Sequence, residues 1–311
     1  MSAVDTDRVA PPTAIRWGWV VAIMVSSQML IWLDNSILNI AVHTLADPRH
    51  GLGASPDELE WAISAYSLVL AAAMLAGGAL ADRFGPRSTL IAGLIIFSTT
   101  SACAAFAPNA ATLIVARGGM GLGSALLMPA TLSILIHASP PNQRTRAIAI
   151  WASSSGVGVA IGPVVGGALL DNFWWGSVFL VNVPIVVLCL IGVALVVPRL
   201  HYPQRRVLDP IGLVLSIAGL GSLVYGAITA GSAGSWSHPG TLIPVLGGLA
   251  LLGVFAVVQY GAAEPSFDIR LFRRRQFAGG SLGLMFSFLG LSAAGSLRAA
   301  GRWRTRSRRA E

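Results

Sequence analysis

The chain has 311 residues, of which 54% are apolar and only 11% charged, with a mean hydropathy of +0.71. A soluble domain is about a quarter charged, so too few polar residues are present to cover a water-facing surface, and soluble enzymes, disordered regulators and disulfide-stapled secreted domains are excluded. The net charge of +8 is carried entirely by Arg, with no Lys, and six of those Arg lie between Gly295 and Glu311, so the charge does not read as a nucleic-acid surface.

About twenty apolar residues are needed to cross the hydrocarbon core as a helix. Nine stretches meet or approach that length: Trp17–Val42, Glu58–Ala81, Arg87–Ala107, Ala111–His137, Thr145–Asp171, Gly176–Val197, Val207–Ala230, Thr241–Ala262 and Gln276–Ala294. The first is too long, and its leader too acidic, for a secretory signal. The two cysteines, Cys103 and Cys189, sit inside apolar runs and imply no disulfide framework.

The first span contains Asp34, flanked by Gln28, Asn35 and Asn39 on nearly one helical face. A carboxylate inside a span costs about 2.5–3.5 kcal/mol on insertion scales, so something must compensate for it. Two readings stay open: a proton- or substrate-coupling group beside a polar, water-accessible cavity, or a partner for a buried Arg. Arg117, in the fourth span, is the other in-membrane charge. Counted from the outer ends of their spans, Asp34 lies about 12 Å deep and Arg117 about 9 Å deep, so the two are placed to meet across the bundle.

Between the second and third spans, Gly78-Ala79-Leu80-Ala81-Asp82-Arg83-Phe84-Gly85-Pro86-Arg87 reads as a tight turn with charges of both signs at the membrane face. In the fifth span Gly158, Gly162 and Gly166 repeat every four residues, which lets helices approach closely, and Pro163 permits a bend. The glycines at Gly119–Gly123 lie inside an apolar helix and are no nucleotide loop. No Cys/His/Asp cluster has metal-ligand spacing, and no nucleophile–base arrangement stands out. Neither catalytic residues nor a metal or other cofactor are expected.

Together these strings resemble the major facilitator superfamily. The Gly78–Arg87 loop matches its Gly-x-Leu-Ala-Asp-Arg-x-Gly-x-Arg signature. Leu33-Asp34-Asn35-Ser36-Ile37-Leu38-Asn39-Ile40-Ala41 is similar to a first-helix string of drug:proton antiporters, with Ser36 in place of threonine. Arg117 with its glycine-rich face looks like the family's membrane-embedded arginine, although Met120 stands where Gln is usual. Gly158, Gly162, Pro163, Gly166 and Gly167 resemble the antiporter motif associated with export. Asp209-Pro210-Ile211-Gly212, Val224-Tyr225-Gly226 and Trp236 resemble the two extra helices of the fourteen-helix antiporters of the EmrB/QacA type, and Pro265–Arg273 the entry to the next helix. The resemblance runs from about Trp17 to about Leu291.

What it implies is an all-α polytopic membrane protein: a cytoplasmic leader (residues 1–16), a six-helix N-terminal half (17–200), a two-helix linker (201–264) and one helix of an incomplete second half (265–294). The expected function is proton-coupled efflux of drugs or other small amphipathic compounds by alternating access in the plasma membrane, with protons, substrate and lipid as partners and no nucleic acid. Asp34 and Arg117 would carry coupling, Gln28, Asn35 and Asn39 would line the cavity, and Gly78, Asp82, Arg83, Gly85 and Arg87 would form the cytoplasmic gate. The Arg-rich segment 295–311 departs from this pattern. It would fall outside after nine spans, against the charge bias, and is what an out-of-frame reading near Ala293 of GC-rich DNA would give. The alternative expectation is therefore a truncated, non-transporting remnant, or a half-transporter needing a separate partner chain.

Orientation follows from the Arg positions. With the N-terminus inside, thirteen Arg before the tail face the cytoplasm and only Arg49 lies outside. In a Cys103→Ser, Cys189→Ser background, a membrane-impermeant thiol reagent is expected to label Arg49→Cys on intact cells and to leave Arg83→Cys unlabelled. The reverse pattern would invert the topology.

Overall fold

The computed structural model describes residues 14–197, 209–233, 235–261, 279–280 and 282–283. The described residues form helices α1 (Ala14–Ala46), α2 (Pro56–Phe84), α3 (Pro86–Ala105), α4 (Ala110–Ala138), α5 (Arg144–Asn172), α6 (Ser177–Leu180), α7 (Asn182–Val196), α8 (Pro210–Ala233) and α9 (Pro239–Gly261). With α6 and α7 taken as one interrupted span, eight are long and apolar enough to cross a membrane. Most of the ninth expected stretch lies outside the described residues. The chain divides into two units, Met1–Phe255 and Ala256–Glu311; the first holds α1 to α8 and most of α9, and the second the last turns of α9 and the helical pairs 279–280 and 282–283.

Helix ends follow local chemistry. Ser55 caps α2: its Oγ accepts from the Glu58 N–H, the Glu58 carboxylate accepts from the Ser55 N–H at 2.8 Å, and Pro56 opens the helix. α2 stops at Gly85, whose φ of +88° is a conformation that L side chains rarely adopt, and Pro86 starts α3 at once. Asn109 caps α4 by accepting from the Thr112 N–H at 2.9 Å, and Asp209 accepts from the Gly212 N–H at 2.9 Å where α8 begins. In the α1–α2 loop the Arg49 backbone N–H, and after it His50, hold the Asp47 carboxyl below its usual range. That depressed value means the loop contact persists at neutral pH and is lost as pH falls through it.

The sixth expected span is present as one membrane-length stretch, Ser177–Val196, in which only Val181 separates α6 from α7 and keeps helical backbone angles. Pro184 has no N–H to give the Leu180 carbonyl four residues earlier, so one backbone hydrogen bond is missing where α6 runs into α7. Asn182, the first residue of α7, is fully buried.

In the first unit α4 packs against α2 and α3, α1 against α5, and α8 against α2. Lipid tails are as apolar as Leu, so small residues that permit close backbone approach take over the role of large core side chains. A Cβ on Gly121 would collide with the Tyr66 carbonyl of α2, and one on Gly123 would lie 2.8 Å from the Phe97 backbone N of α3. α5 buries only a narrow stripe: Ala147, Ser154, Gly158, Gly162 and Gly166. A Cβ on Gly158 would sit 3.0 Å from the Met29 carbonyl, and one on Gly162 would collide with Ser36, both on α1. α8 and α9 pair in the same way, with Gly226 against Val245 and the Ser222 hydroxyl donating to the Pro244 carbonyl at 2.8 Å. The Tyr225 ring of α8 lies 5.6 Å from Trp61 of α2.

The close approaches make a contrast that can be measured. Gly123→Ala forces α3 from α4 and is expected to destabilise the bundle by about 1–3 kcal/mol. Gly156→Ala, with nothing within 4 Å of the added methyl, should be neutral or stabilising by a few tenths of a kcal/mol, as Ala favours helix. Thermal unfolding in detergent distinguishes them, and equal melting temperatures would contradict the packing account.

Candidate functional site

Asp34 on α1 and Arg117 on α4 meet in the interior. Arg117 Nη1 donates to Asp34 Oδ2, and the two side chains are 1% and 0% exposed. An ion pair this far from water survives only if the remaining hydrogen-bonding capacity is also filled, and most of it is. Arg117 Nε donates to the Ala62 carbonyl of α2 at 3.1 Å, and Nη2 reaches Asn35 Oδ1 at 3.4 Å. The guanidinium carbon stands 4.3 Å from the centroid of the Tyr66 ring, a cation–π contact strengthened by desolvation. Tyr66 is tied in turn to Ser124 of α4 by a 2.7 Å hydrogen bond between hydroxyls. Met120, where the family string usually has Gln, brings its sulfur to 3.9 Å from Arg117 Nη1.

The other carboxylate oxygen is held from across the bundle. Asn182 Nδ2 donates to Asp34 Oδ1 at 3.0 Å and to Ser101 Oγ of α3 at 3.1 Å; Ser101 donates to the Phe179 carbonyl of α6 at 2.8 Å. One carboxylate therefore joins α1 to α4 and α7, and through their side chains to α2, α3 and α6.

The other expected residues lie in different surroundings. Gln28 is buried, with no partner for Oε1 among the described residues. Asn35 is half-buried and donates to the Ile31 carbonyl, while Asn39 is exposed and donates to the Asn35 carbonyl. The polar stripe thus splits into a buried, an intermediate and an exposed member. Of the loop residues, Gly78 and Gly85 have open space where a Cβ would sit, Asp82 is exposed and Arg83 half-buried. Arg87 reaches the C-terminal end of α7, donating to the Val193 and Ala194 carbonyls at 3.4 and 3.2 Å, where a cation is favoured. Gly158, Gly162 and Gly166 form the α1 contact, whereas Pro163 is exposed and Gly167 has nothing within 4 Å. Sequence reasoning missed Asn182, Ser101, Tyr66 and Ser124. The available signal was a neutral polar residue near a proline, Asn182 and Pro184. A separate groove of about 360 Å³ between α1 and α5 is lined by Val25, Met29, Ile150 and Val157, with Arg146 among its lining residues. Among the described residues no group of His, Cys, Asp and Glu is arranged to hold a metal.

A bundle of membrane-length helices with a buried charge pair joining them is the build of a multi-pass membrane transporter. The model of the Major Facilitator Superfamily matches residues 24–310, and the chain belongs to that family, whose members are transporters and not enzymes. That match runs past Leu291, where the motif resemblance ends. The chain is 38% identical over 275 residues to the multidrug efflux pump LfrA of Mycolicibacterium smegmatis, covering 88% of this chain and 54% of that one. It is 37% identical over 272 residues to the methyl viologen resistance protein SmvA of Salmonella typhimurium, covering 86% and 54%. The chain thus spans about half the length of these curated relatives. A crystal structure of the peptide transporter POT in complex with sulfate shares the fold with a TM-score of 0.58 at 19% identity, covering 78% of this chain and 53% of that one.

Removing one member of the buried pair strands the other. Arg117→Leu is expected to destabilise the protein by about 3–5 kcal/mol. Adding Asp34→Asn to it should recover more than about 1 kcal/mol, since the two positions are in contact. Unfolding of the two single variants and the double variant in detergent checks this, and simple additivity would contradict the coupling.

Proposed function

We propose that this chain forms the N-terminal half of a proton-coupled exporter of drugs or other small amphipathic compounds. It works by alternating access in the plasma membrane, with its N-terminus in the cytoplasm. The observation that carries the reading is the Asp34–Arg117 pair: a titratable carboxylate, fully buried, whose charge state governs contacts to helices on several sides. The relatives named as efflux and resistance proteins support export as the direction and small organic compounds as the cargo. The thirteen-to-one distribution of Arg supports the orientation.

In this reading Asp34 exchanges a proton and Arg117 responds to it, while Asn35 and Asn39 extend the polar path along α1. Gln28 belongs to the same path at greater burial. Gly78, Asp82, Arg83, Gly85 and Arg87 form the cytoplasmic gate, and the glycine face of α5 with Pro163 and Gly167 guides its movement on α1. Residues 17–200 are the six-helix half, 201–264 the linker and 265–294 the entry to a second half.

Coverage of about half the relatives' length favours a second requirement. Alternating access needs two halves around a shared site. The second half is supplied either by further sequence of the same protein or by a separate chain.

Everted vesicles carrying the chain joined to a second half should show drug uptake driven by the proton gradient. Asp34→Asn should insert normally and lose that gradient-driven component by more than about tenfold, a barrier change of about 1.4 kcal/mol or more. Unchanged proton-driven transport by the variant would refute the role. The 311-residue chain alone in liposomes is expected to give none; efflux by it alone would refute the need for a second half.

A further inference from the structure

Asn182 is buried completely, yet only half of its amide is used. Its Nδ2 makes two hydrogen bonds, to Asp34 Oδ1 at 3.0 Å and to Ser101 Oγ at 3.1 Å, whereas its Oδ1 has no partner among the described residues. Leaving a buried carbonyl unpaired is costly. A residue needed only to fill space in this apolar helix could itself be apolar and avoid that cost. What the position uses is the donor.

The donor faces a carboxylate whose two oxygens are divided between different partners. Oδ2 takes the Arg117 guanidinium, and Oδ1 takes the Asn182 amide. An N–H bonded to a carboxylate favours its charged form. Ser101 fixes the direction of that N–H: its hydroxyl donates to the Phe179 carbonyl and so presents a lone pair to Asn182. The Asp34 carboxylate is thus gripped on one side by a charge and on the other by an oriented neutral donor.

We propose that Asn182 is a positioning residue for the proton site: by donating to Asp34 Oδ1 it holds the carboxylate opposite Arg117 and makes proton exchange there depend on α7. This rests on the reading of Asp34 as the proton-exchanging group. The charged and titratable neighbours of Asp34 are Arg117 on α4 and Tyr66 on α2. On α5 the segment Gly158–Gly166, which packs against Met29–Ile37, contains no titratable residue. α3 and α6 present the Ser101 hydroxyl and the Phe179 carbonyl, and on α7 Cys189 lies two turns beyond Asn182 and faces Ser27. Asn182 is therefore the one uncharged side chain of α7 bonded directly to the carboxylate among the described residues.

The test is an infrared pH titration of the purified 311-residue chain in detergent, following the protonated-carboxyl band that is present in the unsubstituted chain and missing from Asp34→Asn. Asn182→Leu, branched like Asn but bulkier and without a donor, should raise the midpoint of that band by about one pH unit or more, a tenfold or greater gain in proton affinity, as expected for loss of a hydrogen bond to a charged group. Asn182→Ala, which adds no bulk, should shift it the same way, and Ser101→Ala should give a smaller shift in that direction. A folded Asn182→Leu or Asn182→Ala protein that titrates at the original midpoint overturns the proposal while leaving Asp34 as a proton site. If no Asp34-dependent band is found anywhere in the range where the protein stays folded, the proton-exchange reading itself fails, and this inference fails with it.

Discussion

An ionised side chain in the interior of a membrane bundle has neither water nor lipid headgroups to solvate it, and each such ion costs several kcal/mol unless protein groups take their place. The pairing of Asp34 with Arg117 meets that constraint, and much of the bundle is arranged around the pair. Arg117 spans from α4 to α1 and α2, drawing in the Ala62 carbonyl, Asn35 and the face of Tyr66. Asp34 reaches from α1 to α7, and Asn182 passes the contact on to Ser101 of α3. Helices distant in sequence are tied at one depth by directional, charge-assisted contacts.

These contacts can form because the backbones approach closely enough for short side chains to bridge them. Gly121 lets α4 lie against the Tyr66 carbonyl, and Gly123 brings it to the backbone of α3. Without Gly121 α4 would stand away from α2, and Arg117 could not reach the Ala62 carbonyl and the Tyr66 ring there. The α1–α5 contact is of another kind. It consists of Gly158, Gly162 and Gly166 laid along α1, with the Ser36 hydroxyl donating to the Val159 carbonyl at 2.8 Å. The same helix α1 is therefore held to α4 by charge and geometry and to α5 by close packing that is far less directional.

Much of this was legible from the chain alone. Span positions followed from apolar run length, and the depths of Asp34 and Arg117, counted from span ends, placed them within reach of each other. The α5 glycines declared themselves by their period of four. Asn182, Ser101, Tyr66 and Ser124 did not, for a physical reason. A lone Asn or Ser in an apolar helix is tolerated in many places, and what makes these four matter is partners 58 to 148 residues away in sequence. The polar stripe on α1 was read from helical angles alone. Those angles set a residue's bearing, not which neighbour covers it, so Gln28 is buried while Asn39 is exposed.

The proposal that Asp34 exchanges a proton during transport, with Arg117 responding to it, is the one on which the functional reading turns. Its most direct test is proton release from the purified two-half protein in weakly buffered detergent solution on addition of a cationic amphiphile, with Asp34→Asn as the reference. The account predicts release of close to one proton per bound compound, and none from the variant. Binding without proton release, or equal release by Asp34→Asn, would contradict it.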